Sequence, residues 1–213
     1  MDQVWMRKLK NNAHLLRLFW AELSIKLNMK VNLAAFSLFF FLTRLNLYSQ
    51  PCLTPEEKKL YELIMQYRKT RKLPPIPVSA KLTQVAKAHV QDLNENYKDD
   101  NKCNMHSWSK KGDWSPCCYT RDHAEAACMW NKPKEIAGYE GNGFEIAHWS
   151  SAGVNAKTSL SGWQGSAGHN AVIINSGIWK DMKWKAIGIG LDGEYSVVWF
   201  GAEEDNQLAG TCD

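Results

Sequence analysis

The chain has 213 residues and a formal net charge of +4 at pH 7, a length that accommodates one well-cored domain together with a leader segment. Seven of the 26 Lys and Arg residues and two of the 22 Asp and Glu residues precede Gln50, which leaves 19 basic and 20 acidic residues from there on. The part from Gln50 onward therefore lacks the dense basic surface of a nucleic-acid-binding protein, and we expect no nucleic-acid partner.

The beginning of the chain has the features of a leader. An apolar run over residues 31–42 follows Lys30 and is followed by a Leu-Tyr-Ser tripeptide, which is typical of a signal peptide. The run is shorter than the roughly 20 apolar residues of a membrane-spanning helix. We predict a leader over residues 1–49, with translation starting at Met29, and a single domain over 50–213. The mature protein is expected to be secreted or otherwise extracytoplasmic, without a stable membrane span; an uncleaved membrane anchor is the alternative.

The cysteines support export. All six lie from Cys52 onward and none forms a Cys-x-x-Cys pair, so the even set predicts disulfides rather than a zinc ribbon. Cys52 and Cys212 flank the domain and are predicted to pair. Two further bridges are expected among the remaining four, with no bond between the adjacent Cys117 and Cys118. These four are Cys103, Cys117, Cys118 and Cys128.

The first half of the domain is predicted to be helical. Thr54, Pro55 and Glu57 form a capping box with proline at the first helical position, and this helix should run to about Arg71. After a proline-rich extended connector, Ser79 caps a second helix. Its buried stripe consists of Leu82, Val85, Ala86, His89 and Leu93. We interpret His89 as a core histidine rather than a ligand.

Shorter elements follow. Thr120 is predicted to cap a short helix over residues 123–130 that Pro133 ends. Asn155 is predicted to cap a third main helix that ends by Gly168. His123 and His148 are interpreted as non-ligands, and most tryptophans as core residues, although aromatic faces could also line a sugar or lipid groove.

Strands are predicted at the end of the chain, over residues 171–174, 186–191 and 194–200. Asp192-Gly193 is a two-residue hairpin signal. Because helices come first and an antiparallel hairpin last, the order of elements favours an α+β fold. Gly188 and Gly190 alternate with apolar residues, so one face of their strand is nearly bare and a helix or ligand should pack closely on it.

Three ionisable residues are candidates for a site. Glu145 stands between Phe144 and Ile146 and points away from both in an extended segment. His106 lies upstream, and His169 directly follows Gly168, where the third main helix is expected to stop. We hypothesise that these three side chains converge on one cleft.

The ordered set of motifs resembles the CAP superfamily, which includes cysteine-rich secretory proteins, antigen 5 and plant pathogenesis-related proteins. The resemblance covers roughly residues 54–201, and its Ser-x-Gly-His form is closest to the bacterial-type branch. The motifs are His106-Ser107, Gly143-Phe-Glu145, Trp163 with Ser166-Ala-Gly-His169, Gly188-Ile-Gly190 and Val198-Trp-Phe-Gly201. The resemblance implies a three-layer α-β-α sandwich with a central antiparallel sheet (the SCP domain) and a central cleft.

In this superfamily the cleft holds two histidines and two acidic residues, and some members bind a divalent metal there. His106, Glu145 and His169 correspond to three of the four. Gln164, Gly165 and Ser166 stand where the second acidic residue is expected. Residues 108–140 form an insertion that is longer than in compact members, and the sequence assigns it no function.

The chemistry of the three candidates allows several interpretations. First, His106 and His169, with Glu145 as a further candidate, have the side chains of a Zn²⁺ ligand set. Second, the same three residues could perform general acid–base catalysis. The third possibility is a purely structural hydrogen-bonded network. The sequence thus predicts a secreted cleft-bearing module that binds a lipid, sterol, glycan or peptide. The alternatives are a metal-assisted extracellular hydrolase using these three residues, and a structural or defence-type exported protein. Whether the protein is an enzyme stays open.

Overall fold

The computed structural model describes residues 51–212. The signal peptide and the start at Met29 lie outside the described residues and stay predictions. Within 51–212 no helix combines the length and the apolar character needed to cross a membrane.

The described part contains six α-helices, a 3₁₀ turn and three strands. The helices are α1 (Pro55–Thr70), α2 (Ala80–Asn96), α3 (Ala126–Trp130), α4 (Lys132–Ala137), α5 (Ala156–Gly165) and α6 (Ala167–Ile173), and the 3₁₀ turn is Gly177–Trp179. The strands are β1 (Gly143–Trp149), β2 (Ala186–Asp192) and β3 (Tyr195–Gly201).

The predicted starts of the three main helices are confirmed by their caps. The prediction that Thr120 caps a helix from residue 123 is wrong, since α3 begins at Ala126 without a side-chain cap. At α1 the Glu57 amide donates to Thr54 Oγ1 at 3.3 Å, and the Thr54 amide donates to the Glu57 carboxylate at 2.7 Å. Ser79 Oγ accepts from the amide of Leu82 at 2.9 Å to begin α2, and Asn155 caps α5 through its amide oxygen. Each such cap contributes about 1 kcal/mol, which explains why these boundaries are readable from local sequence.

The sheet is antiparallel, with β3 in the centre and the order β1–β3–β2. Val198 of β3 pairs with Ile146 on one side and with Ile189 on the other. One face of the sheet packs against α2, and the opposite face packs against α1, α5 and α6. The fold is therefore the predicted α+β sandwich of three layers.

Two glycines of β2 bring α2 directly onto the sheet. A Cβ added at Gly188 would lie 2.1 Å from the carbonyl carbon of Leu82, and one at Gly190 would lie 2.5 Å from the carbonyl oxygen of Ala86. Backbone thus packs on backbone, and the bare face predicted from sequence is occupied by a helix.

The prediction of a strand over residues 171–174 is wrong. These residues belong to the end of α6 and to its C-cap, Ile174, because the helix restarts after a break at Ser166 instead of stopping there. Val172 and Ile173 are buried at the end of α6. A four-residue apolar run fits a buried helix end as well as a strand, and here tertiary packing selects the helix.

Two predicted boundaries also shift. Pro133 does not end a helix but stands near the start of α4, where proline is tolerated because the first helical amides have no intrahelical acceptor. In the hairpin, Asp192 pairs with Tyr195, so the two-residue loop is Gly193-Glu194, one residue later than predicted. The φ of +56° at Gly193 suits a glycine there.

The predicted disulfide pattern is confirmed. Cys52 bonds to Cys212 and ties the ends of the domain together. The other four cysteines form the bridges Cys103–Cys118 and Cys117–Cys128, so the two adjacent cysteines have separate partners.

Candidate functional site

The three candidate residues come from separate elements and lie side by side. His106 is in the loop after α2, Glu145 is on β1 facing α2, and His169 is in the first half of α6. Nδ1 of His106 lies 2.7 Å from Oε1 of Glu145. The ring of His169 lies edge-on to that of His106, with 6.3 Å between the ring centroids. The three side chains therefore converge.

A fourth residue, His89 of α2, completes this cluster. Its ring is fully buried, and Nδ1 contacts Oε2 of Glu145, while Nε2 lies 3.0 Å from the carbonyl oxygen of Ser107. The ring also stacks on Trp108, with centroids 4.1 Å apart and planes 8° from parallel. His89 is indeed a core histidine with satisfied nitrogens, as interpreted from the sequence. What the sequence analysis missed is that its partner is the same carboxylate that holds His106.

The contacts of His89 determine where protons must be. A carbonyl oxygen only accepts, so Nε2 carries a hydrogen and donates it to Ser107. Nδ1 then faces Oε2 of Glu145, and two lone pairs would repel there, so a second proton lies between these atoms. Burial alone would raise the pKa of the Glu145 carboxyl, but the charge of His89 and hydrogen bonds from His106 and His89 hold that pKa below its ordinary value. The arrangement is therefore an imidazolium on His89 facing a carboxylate on Glu145.

This arrangement also orients His106. Since the carboxylate of Glu145 accepts, Nδ1 of His106 donates to it, and Nε2 of the neutral ring keeps its lone pair. A carboxylate that fixes the tautomer of a histidine in this way is found behind many metal-binding and general-base histidines. His106 thus has the positioning that either role requires.

The neighbouring His169 is held in its neutral form. Burial is the main cause that lowers its pKa to about 4. Repulsion from His106 and His148 when these rings are protonated adds to the effect, and the carboxylate of Glu145 opposes it. At neutral pH the ring carries no charge. One of its nitrogens donates a hydrogen bond and the other accepts one.

His148 is placed apart from this cluster. It follows Ala147 on β1, points to the opposite face of the sheet from Glu145, and lies against Trp163 with ring centroids 6.4 Å apart. Burial lowers its pKa. A Cβ at Gly162 would come within 2.7 Å of the His148 ring, so the glycine makes room for this histidine.

The donor set does not match the three-ligand zinc site considered from the sequence. Within residues 51–212, no group of three or more His, Cys, Asp and Glu residues is placed to hold a metal ion. Both carboxylate oxygens of Glu145 already contact histidines. Glu145 therefore fits the role of an orienting partner, and His106 and His169 remain as two candidate imidazole ligands, fewer than the three protein ligands of a catalytic zinc site.

The insertion, residues 108–140, forms one wall of the cluster. Its first residue, Trp108, supplies the ring on which His89 stacks. The Tyr119 ring lies edge-on to that of His106, with 5.3 Å between the ring centroids, and its hydroxyl is hydrogen-bonded to Nδ1 of the exposed His123 at 2.7 Å. The buried Lys132 donates to the carbonyl of Ser115 and lies 5.8 Å from the centre of the Trp108 ring. Sequence reasoning assigned the insertion no role, because these contacts depend on how the loop folds back.

A cavity of about 660 Å³ lies beside the cluster and shares His169 with it. The last three residues of β1, including Trp149, form its floor with Trp163 of α5, and Tyr195 of β3 adjoins them. Residues of the loop that begins at Tyr97 also line it. Its volume lies within the range of about 300–1,000 Å³ that is usual for small-molecule sites.

Comparisons with known proteins place the chain in a family. The family model that matches residues 61–180, more than half of the chain, is described as CAP, the cysteine-rich secretory protein family. No curated protein matches the chain in a sequence search.

Three solved bacterial structures are similar. A cysteine-rich secretory protein of Staphylococcus aureus is 14% identical with a TM-score of 0.47, over 74% of this chain and 41% of that one. An outer surface protein of Borrelia burgdorferi is 19% identical with a TM-score of 0.47, over 68% and 91%. An extracellular protein of Bacillus anthracis that contains an SCP domain is 15% identical with a TM-score of 0.46, over 68% and 39%. This chain thus spans less than half of the first and third proteins.

Proposed function

This chain belongs to the cysteine-rich secretory protein (CAP) family, and we propose that it is an extracytoplasmic binding module whose cleft takes a small lipid, sterol, glycan or peptide ligand. The observation that carries the proposal is the cavity of about 660 Å³ beside the His106 cluster. It combines aromatic residues with polar side chains that can orient a ligand, as small-molecule sites do. Three disulfides support residence outside the cytoplasm.

The surroundings of the cavity favour binding over a purely structural role. The bridge Cys103–Cys118 fixes the loop that forms one wall, and β1 forms the floor. Because the sheet is rigid and the loop is held by a disulfide, few side chains and little backbone have to become ordered when a ligand binds. Less of the binding free energy is therefore lost as conformational entropy.

The proposal is tested by titrating the purified domain with oleate, cholesterol, chitotriose and a tripeptide, using calorimetry and hydrogen–deuterium exchange. We expect one class to bind saturably and to slow exchange in residues 97–105 and at the end of β1. The segment 177–185, away from the cavity, serves as the internal control and should not change. Absence of saturable binding by every probe, or protection confined to the control segment, would refute the proposal.

A metal-assisted extracellular hydrolase is the second candidate. It is favoured by the orientation of His106, whose Nδ1 is held by Glu145, and by the neutral His169 beside it. The hydroxyl oxygen of Ser107 accepts a hydrogen bond from the amide of Tyr119 at 2.8 Å, and no hydrogen bond joins this hydroxyl to a histidine among residues 51–212, so the structure does not favour Ser107 as an activated nucleophile. Stoichiometric zinc in purified protein together with turnover of generic peptide or ester substrates would favour this function, and turnover that survives His106→Ala would exclude it.

A further inference from the structure

We propose that the ligand of this cleft is a neutral saccharide that stacks on Trp149 and is held by polar side chains of the loop after α2 and of the insertion. The proposal rests on the proposed function and narrows its four ligand classes to one. It follows from three features of the cavity: a rigid exposed aromatic face, planar polar groups that line the same cavity, and balanced charge.

The aromatic face belongs to Trp149, the last residue of β1. The residue is 47% exposed and lines the cavity. Its indole N–H donates to a carboxylate oxygen of Glu194 at 3.0 Å, and its backbone pairs with Tyr195 on the central strand. The ring is thus held in one orientation while nearly half of its surface stays in water. Sugar rings carry an apolar C–H face that packs on such an indole, and a fixed ring loses little entropy when it is covered.

The loop after α2 and the insertion supply hydrogen-bonding groups to the cavity. Asp99, Asn101, Asn104 and Arg121 all line the cavity. The loop is pre-shaped, because Asp99 accepts from the amide of Asn101 at 2.9 Å and Cys103 is bridged to Cys118. Among residues 51–212 the guanidinium of Arg121 forms no hydrogen bond or ion pair, so all its donors are free for a ligand. Planar amide, carboxylate and guanidinium groups can each bond two neighbouring hydroxyls.

The charge of the cavity argues for a neutral ligand. Two cationic side chains, Lys102 and Arg121, are matched by two carboxylates, Asp99 and Glu194. The burial of His169 keeps its ring neutral at pH 7. A phosphate or free carboxylate would need an excess of positive charge, and a quaternary ammonium an excess of negative charge.

The same lining disfavours a fatty acyl chain or a sterol. Half of the residues around the cavity carry charged, amide or imidazole side chains. Covering these groups with hydrocarbon would remove their water without giving them new partners, at a cost of roughly 1–3 kcal/mol for each. A polyhydroxylated ligand replaces that water with its own hydroxyls.

The test is calorimetric titration of the purified domain with chitotriose, cellotriose, maltotriose and mannotriose, with oleate and trialanine as further probes. We expect at least one trisaccharide to bind saturably. Trp149→Ala should weaken it by about tenfold or more, the scale of losing one stacked ring, and Trp149→Phe should restore part of the affinity.

Two matched variants separate stacking from folding. Glu194→Ala frees the indole and should weaken binding by a smaller factor than Trp149→Ala, and Glu194→Gln, which retains an oxygen acceptor for the indole N–H, should weaken binding less than Glu194→Ala does. Ile178→Ala alters a residue that is 88% exposed and does not line the cavity, so it should leave affinity unchanged. A melting temperature of Trp149→Ala equal to that of the wild type would show that this variant is folded. If the variant is unfolded, the affinities of Trp149→Phe, Glu194→Ala and Glu194→Gln test the role of stacking instead.

Every outcome is decisive. Binding of oleate or trialanine with no trisaccharide binding overturns the saccharide class but leaves the binding function standing. No binding by any probe overturns both. If a trisaccharide binds and Trp149→Ala does not weaken that binding, the proposal that the saccharide occupies this cleft is overturned. If Trp149→Ala is unfolded, unchanged binding by Glu194→Ala overturns it in the same way.

Discussion

The two faces of the three-stranded sheet are packed in different ways. On the side of α1, α5 and α6, the strands contribute aliphatic and aromatic side chains such as Ile146, Val198 and Phe200, all fully buried. On the side of α2, the neighbouring residue Glu145 and the facing His89 form a buried charged pair surrounded by tryptophans. The adjacent β1 residues Glu145 and Ile146 therefore have different roles: Glu145 belongs to the buried hydrogen-bonded cluster and Ile146 to the apolar core.

This difference between the two faces separates the source of fold stability from the source of site geometry. The apolar face buries hydrocarbon, an interaction that is favourable but not directional. The α2 face uses hydrogen bonds of defined direction, and a buried ion pair of this kind contributes little net stability. Its effect is to hold His106 in one tautomer beside the cleft. Four predictions test this contrast, from the largest expected effect to the smallest.

Glu145→Gln should destabilise the fold by roughly 3–5 kcal/mol, because it leaves the imidazolium of His89 buried without its counter-charge. Urea denaturation measures the loss. In a double-mutant cycle with His89→Gln, the two losses should fall short of additivity by about 0.5–3 kcal/mol, since both changes disrupt one interaction. Additive losses would show that the pair is not coupled.

Gly188→Ala should cost roughly 1–3 kcal/mol, because the added methyl would meet the backbone of Leu82 at 2.1 Å and force α2 away from the sheet. The control is Gly165→Ala, where the new Cβ would meet no atom within 4 Å and helix propensity makes the change neutral or stabilising by up to about 1 kcal/mol. Equal effects of the two substitutions in thermal unfolding would contradict the close packing of α2 on β2.

The His169 ring should make stability depend on pH. Its pKa of about 4 in the fold lies below the ordinary value near 6.5 that it regains on unfolding. The unfolded chain therefore binds a proton first, and the stabilisation, complete above pH 6.5, is lost as the pH falls toward 4. Because the ring is partly exposed, we expect a loss of about 1–2 kcal/mol.

Denaturation between pH 7 and pH 5 is the appropriate measurement, since this window lies above the range in which Glu145 titrates. The variant His169→Gln should lack this part of the pH dependence. An unchanged slope in the variant would assign the effect to other groups.

Ile146→Val should cost about 0.5–1.5 kcal/mol through the loss of one buried methylene, and it should leave the NMR titration of His106 unchanged. The substituted residue is the direct neighbour of Glu145 but faces the other side of the sheet. A shifted His106 titration would show that the two faces are not independent.

Much of the fold and part of the site were predictable from the sequence. The capping groups of α1, α2 and α5 act within three residues of the amides they bind, so local sequence predicts where those helices begin. His106, Glu145 and His169 were identified as candidates from their residue types and positions, and the family motifs contain all three. The end of α6 was missed because a short apolar run suits either a helix or a strand until its packing is known.

The starts of the three main helices and the alternation of β2 and β3 can be read from the sequence, because they depend on contacts between near neighbours in the chain. The residue types at three candidate site positions can be read from it as well. Three features depend on the folded chain: His89 is hydrogen-bonded to Glu145, 56 residues away, the insertion stacks Trp108 on the His89 ring, and Trp149 lines a cleft. A proton position or a cavity depends on several segments meeting within hydrogen-bond distance. No local pattern encodes such a meeting, because it arises only when α2, β1 and the insertion pack together.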